Sequence, residues 1–241
     1  MSTRRAKQFI YGMFYLVLWA VCIAIVYFAV RFVAPPTPPA PPCTEATCAP
    51  TGTAPLATST VWTFVTAPHH YTFLAQVANT DPDYAATYLG YAIDLYDASG
   101  TVIQSIPESS FVYQGQTKYL VVPNVTISSA FVRAGLSLTR AYWQASSTLG
   151  TLPDFSVENT ATQGTSSTVS VSGQLTNANI ATTRYVFVDA IFLGTNGAPI
   201  GVSQTEINNV TPGQTVDFSV MYPQTGSIDP AASTVLVYGL K

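Results

Sequence analysis

His69 and His70 are the only imidazoles in the chain, and nucleophilic catalysis by a histidine base would have to use one of them. They are adjacent, and adjacent strand residues leave opposite faces, so both serve one site only where the strand is broken. Following Pro68, they read as a surface pair in the loop before a strand, with metal binding or pH sensing as the functional alternative. Asp81, Asp83, Asp94 and Asp97 come nearest to a cation site, since loop carboxylates at one end of a β-sandwich can hold calcium. Asp94 is expected to face outward from mid-strand, Asp81-Pro-Asp83 reads as a turn, and no EF-hand spacing occurs. Solvated loop carboxylates are the preferred reading, which leaves Asp81, Asp83 and Asp97 as weak metal candidates. No Gly-x-Ser-x-Gly elbow, His-Glu-x-x-His helix or Walker loop is present, and no carboxylate pair stands in a recognisable glycosidase context. No catalytic residue and no cofactor is assigned. Asn124-Val-Thr and Asn209-Val-Thr fit the short glycosylation acceptor pattern.

The cysteines bear on compartment. Cys43 and Cys48 lie four residues apart, directly after Ala34–Pro42, which reads APPTPPAPP. Such a run favours polyproline II and would extend about 28 Å. In an exported compartment the pair most simply closes a small disulfide loop. Pairing between two chains, giving a homo-oligomer, is the alternative. A zinc site would need two more ligands, and no cysteine follows. Cys22 reads as an ordinary apolar helix residue.

Upstream, Phe9 to Val30 is 22 residues without a charge, between Arg4, Arg5 and Lys7 on one side and Arg31 on the other. About 20 apolar residues span a bilayer as a helix. A cleaved signal peptide would have a shorter apolar region and small residues at its cleavage site, whereas here Phe32 and Pro35 flank the candidate Ala34. Residues 9–33 are therefore expected to form an uncleaved transmembrane signal anchor. The basic residues before it place residues 1–8 in the cytoplasm and the carboxyl region outside. Beyond Arg31, twelve acidic residues against five basic ones leave a net −7. No basic patch for nucleic acid is present in that part.

Shifting the exported chain by about 98 residues lays it on itself. Gln76-Val-Ala-Asn79 meets Gln174-Leu-Thr-Asn177, Gln114-Gly-Gln-Thr117 meets Pro212-Gly-Gln-Thr215, and with a one-residue slip Asp97–Gly100 meets Gly194–Gly197. Alternation agrees: Tyr71, Phe73, Ala75 and Val77 match Val169, Val171, Gly173 and Leu175, and Tyr91, Ile93 and Leu95 match Val188, Ala190 and Phe192. Period two means strands with one buried face, and Gly or Asn at the matched turns supplies positive φ. The expected fold is all-β: two tandem immunoglobulin-like β-sandwich domains after a single N-terminal transmembrane helix. A Pro-rich linker with the cysteine pair occupies 34–58, the first domain 59–147 and the second 153–241. Each copy is long enough to bury its own core.

Ile93-Asp-Leu-Tyr-Asp97, followed by Ser-Gly and then Gln-Gly-Gln-Thr, resembles the FxLYD family of exported immunoglobulin-like domains, and Val77-Ala-Asn79 fits that family's V-x-N strand end. Ile93 stands where the motif has Phe, and in the second copy Ala190–Gly194 has nearly lost it. The resemblance implies a fold and an envelope location, and carries over no catalytic residue.

Together these features describe a cell-membrane protein with extracytoplasmic domains and a non-catalytic binding or scaffold role toward an envelope protein. Tyr84, Tyr88 and Tyr113 are the loop or edge aromatics expected to anchor a partner, with core packing the alternative for at least one of them. Two other readings stay open. One is a calcium- or zinc-dependent module or enzyme built on Asp81, Asp83, Asp97 and the histidines; the other is a self-associating structural spacer.

Overall fold

The computed structural model describes residues 19, 50, 52–165, 167–223 and 228–240, the last segment by its backbone alone before 233. The expected anchor, Trp19 apart, and the cysteine pair lie outside these residues. Among the described residues no helix is long and apolar enough to cross a membrane.

The described chain is all-β, with antiparallel sheets throughout. In the first repeat, β1 (Ala57–Thr58) and β2 (Trp62–Ala67) pair along one edge of β3 (His70–Ala78), and β6 (Thr117–Thr126) pairs along the other. The facing sheet has the order β5 (Val102–Val112), β4 (Tyr84–Tyr96), β7 (Arg133–Ala145). A single turn of helix, α1 (Ser146–Leu149), leads to the second repeat. There β8 (Phe155–Gly164), β9 (Thr168–Asn177) and β12 (Thr215–Pro223) form one sheet. The other has β10 (Thr183–Gly194) between β11 (Pro199–Val210) and β13 (Ile228–Leu240). The last residues of the expected linker belong to the fold, since β1 pairs Ala57 with Ala78 and Thr58 with Val77.

The internal repeat extends to register. Ala78 faces Thr117 on β3 and β6, and Thr176 faces Thr215 on β9 and β12. The matched motifs have one physical job in both copies. Asn79 and Asn177 are fully buried, and each backbone N–H donates to the carbonyl of the turn glutamine, Gln116 at 2.9 Å and Gln214 at 3.0 Å. Each glutamine side chain accepts in turn from the backbone at the start of its turn, Tyr113 N–H at 3.0 Å and Thr211 N–H at 2.8 Å. Asn177 Nδ2 donates to the carbonyls of Ala181 and Val210, and Asn79 Nδ2 to that of Tyr84. Buried main-chain groups have no water to turn to, so a side-chain amide at the strand end stitches the two loops together.

The two repeats share their packing. β9 and β12 alternate buried and exposed residues, as sheets with one wet face do. By contrast, β3 buries Thr72, Phe73, Leu74 and Ala75 in succession, and β10 is buried almost continuously from Val188 to Phe192. Phe73, Ala75 and Val77 pack within the first repeat against Leu89, Ile93 and Leu95. Phe64, Leu74 and Val121 belong instead to the cluster that holds Val188, Ile191 and Phe192 of the second repeat. A third cluster joins Ala85, Phe111 and Tyr113 to Tyr238. The first repeat thus holds a core of its own, and the core of the second runs on into Phe64, Leu74 and Val121 of the first, so an apolar seam joins the two. At about 1.5–3 kcal/mol per large apolar side chain removed from water, this seam is a substantial part of the stability of either repeat.

Asn177→Ala is expected to lower the unfolding free energy by about 3 kcal/mol, because the buried Val210 carbonyl, the Ala181 carbonyl and the Asn179 N–H lose their partner. The exposed turn change Asn196→Ala should cost less than about 1 kcal/mol. Urea denaturation of both variants checks this.

Candidate functional site between the repeats

Lys118 is the only lysine between residues 8 and 240. On β6 it stands opposite Val77, in phase with Leu120 and Val122, where the second repeat carries Val216 opposite Leu175. Only 3% of it is exposed. Its ammonium lies over aromatic rings, 3.2 Å from the centroid of Phe111, 5.3 Å from Phe187 and 5.0 Å from Tyr238. Across the seam, Asp189 of β10 is fully buried. Its Oδ1 accepts from Gln204 Nε2 at 2.7 Å, while Oδ2 has no hydrogen-bond partner among the described residues. Tyr119 N–H donates to Tyr238 Oη at 3.2 Å, tying β6 to β13 beside the pair.

Burial dominates the electrostatics. It pulls the Lys118 ammonium down to about 7 against the opposing pull of the Asp189 charge. It pushes the Asp189 carboxyl up to about 7, against the Gln204 hydrogen bond and the Lys118 charge. The two groups titrate as a coupled pair in a low-dielectric seam. Burial likewise raises the phenols of Tyr91 and Tyr238.

Lys118 opens onto a cavity of about 390 Å³ whose walls come from both repeats. Tyr88, Tyr91, Glu108 and Phe111 contribute from β4 and β5; Tyr185, Phe187, Gln204 and Glu206 contribute from β10 and β11. Its wall mixes aromatic rings with charged and hydroxyl side chains, and concave surfaces that combine apolar area with placed polar groups are what small-molecule sites are made of.

The residues singled out in the sequence fall elsewhere. Asp81 and Asp83 precede β4 and Asp97 follows it, so a 13-residue strand, on the order of 40 Å long, keeps them apart. Asp81 is buried, and its carboxylate accepts from the N–H groups of Ala54, Asp83 and Tyr84 at 2.8, 2.8 and 3.0 Å. The Ala54 bond above all holds its carboxyl below the usual range. Asp97 accepts from the Ser99 hydroxyl and from the Ser99 and Thr101 N–H groups, which lowers its carboxyl too. Both are Asx turns, and the weak metal candidates do not converge. Among the described residues no three His, Cys, Asp or Glu side chains are grouped to hold an ion. Asp94, expected to point outward, is half-buried and accepts from the Ser105 hydroxyl. His69 is exposed in the β2–β3 turn at φ 63°. His70 opens β3, with Nδ1 3.0 Å from Asn124 Oδ1.

Of the three tyrosines, Tyr113 is corrected: it is 2% exposed and packs at 5.2 Å, centroid to centroid, against Phe111. It follows directly on β5, where the chain turns inward before Gly115. Tyr84 is half-buried and Tyr88 is exposed. Lys118 and Asp189 were missed as a pair. Their signal was a charge in the buried phase of a strand, most legibly Asp189 inside the apolar run Tyr185–Leu193.

Stability should pass through a minimum near neutral pH. Asp189 has an ordinary value of 3.8 and Lys118 one of 10.5, and both sit at about 7 in the fold. Below about 7 the folded state holds one proton more than the unfolded chain, on Asp189, so stability falls as pH rises toward 7. Above about 7 it holds one fewer, on Lys118, so stability recovers as pH rises further. Thermal melts from about pH 5 to pH 9 should show a dip of a few degrees, and the double variant Lys118→Met, Asp189→Asn should flatten it.

No family model and no curated protein matches this chain. Among solved structures it is similar to the transglutaminase of red sea bream, with 11% identity and a TM-score of 0.23, over 76% of this chain and 31% of that one. The chain thus spans less than a third of that protein, and so low a score carries no argument about this one.

Proposed function

We propose that this chain is a single-pass, membrane-anchored, extracytoplasmic protein whose tandem immunoglobulin-like sandwiches bind an envelope protein without catalysing a reaction. The uncharged run from Phe9 to Val30, with its basic amino-terminal flank, supports the anchor and its orientation. The likeness to the FxLYD family is supported by what its residues do. Leu95 is core, Tyr96 lies under the Arg133 guanidinium at 3.6 Å, Asp97 closes the hairpin, and Asn79 fastens the Gly115–Gln116 turn.

The observation that carries the binding role is an aromatic patch on β4 and β7. Tyr88 and Tyr142 are 39% and 51% exposed, with ring centroids 5.3 Å apart. Arg140 Nη1 donates to Tyr142 Oη at 2.7 Å, which holds the phenol in place. Tyr and Arg dominate the energetics of protein interfaces, and a patch already fixed in position loses little entropy on docking. The patch borders an edge: β7 is the outer strand of its sheet, 13 residues long. That geometry suits addition of a partner strand beside the aromatics.

Crosslinking of the full-length protein in native membranes, followed by purification in mild detergent, should recover one recurrent envelope protein. The double variant Tyr88→Ala, Tyr142→Ala should weaken that capture at least tenfold while changing unfolding free energy by less than about 1 kcal/mol. Recovery of the chain with itself alone, or undiminished capture by the variant, would sink this reading in favour of a structural spacer.

A further inference from the structure

We propose that the cavity between the repeats binds a small zwitterion with an apolar body, an α-amino acid or a dipeptide, its carboxylate on Lys118 and its ammonium between Glu108 and Glu206. The first support is an unfinished cation. Lys118 is 97% withdrawn from solvent yet lines the cavity. Its described contacts are ring faces, and beyond them it meets only the charge of Asp189 across the seam, with no hydrogen-bond acceptor among the described residues. An ammonium carries three donors, and Lys118 brings them to the cavity wall with no protein acceptor among the described residues. A ligand carboxylate would complete them.

The second support is the sign of the other charges. Glu108 and Glu206, both exposed, line the same cavity from opposite repeats, so a simple anion would be repelled at the mouth. A simple cation would in turn meet Lys118. A molecule carrying both charges satisfies both ends, and specificity then comes from penalising each half-ligand. The third support is the wall: Tyr91 and Phe187 offer aromatic surface for an apolar body. The volume of about 390 Å³ falls in the range of ordinary ligand pockets.

The cavity wall shares Tyr88 with the partner-binding patch but not Tyr142, so Tyr142 alone separates the two readings. The full-length protein in detergent would be titrated calorimetrically with phenylalanine and with alanyl-phenylalanine. 3-Phenylpropanoate, which lacks the ammonium, and phenethylamine, which lacks the carboxylate, serve as half-ligands. At least one zwitterion is expected to bind with a dissociation constant below about 1 mM, and both half-ligands at least tenfold more weakly. Lys118→Met should weaken the zwitterion about 30-fold, the loss of one charge-assisted contact. Should that variant fail to fold, the surface pair Glu108→Gln, Glu206→Gln should still weaken it several-fold. Tyr142→Ala should leave zwitterion binding unchanged even where partner capture is lost. Equal binding of either half-ligand, undiminished binding by the variants, or no saturable binding of either zwitterion up to ~10 mM would each overturn the proposal.

Discussion

Both faces of the β2–β3–β6 sheet are buried along the middle of β3 and β6, and the rest of the molecule follows from that constraint. One face holds Phe73, Ala75 and Val77 against the first repeat's other sheet; the opposite face holds Phe64, Leu74 and Val121 against the second repeat. A strand with two dry faces must find partners for every polar group it carries. Asn79 at the end of β3 answers this with hydrogen bonds to the neighbouring loops. Lys118 on β6 does not, and its charge is left to aromatic rings and to an aspartate across the seam. Replacing a buried charged pair by apolar residues is often neutral or stabilising, so stability alone does not account for one here. That is the physical reason for attaching function to the place where the repeats meet.

The repeat itself was legible because period-two patterning and turn chemistry are local. Val169, Val171 and Leu175 alternate with polar residues because one side of β9 is wet, and Asp97–Gly100 closes a hairpin because Asp97 accepts from the backbone beyond it. The junction was not legible, since it depends on which outer face of one sandwich meets which face of the other. That pairing joins strands far apart along the chain and leaves no periodic trace. The run Tyr185–Leu193 did carry a hint, for nine residues with one charge describe a strand covered on both sides. Tyr113 was misplaced for a related reason. A turn at Gly115 suggested exposure, but the residues ahead of that turn close the bottom of the shared core.

Aspartates show the same division between local and global. Asp81 and Asp97 were weak metal candidates beside the preferred reading as solvated loop carboxylates, because acidic loop residues are what calcium sites use. Each is occupied by backbone N–H groups of its own loop, and the length of β4 separates them. Asp189 looked like nothing, and is the carboxylate with an unsatisfied oxygen. Chemistry in this molecule sits where a charge interrupts an apolar strand, not where charges cluster in turns.

The outer face of the first sandwich is apolar, and the matching face of the second is not. Copy one carries Leu74 opposite Val121 on that face; the corresponding register pair in copy two is Ser172 opposite Ser219. Phe64 opposite Thr72 and Tyr119 opposite Gln76 correspond in the same way to Gln163 opposite Ser170 and Asp217 opposite Gln174. The surface that would accept a third unit has been made hydrophilic, as the terminal units of solenoids are. A head-to-tail contact of this kind propagates into a filament only where both faces suit it, and these four exchanges leave the second copy's face unsuited to it. Restoring Leu and Val at 172 and 219 would be a route from a two-unit block to a polymer.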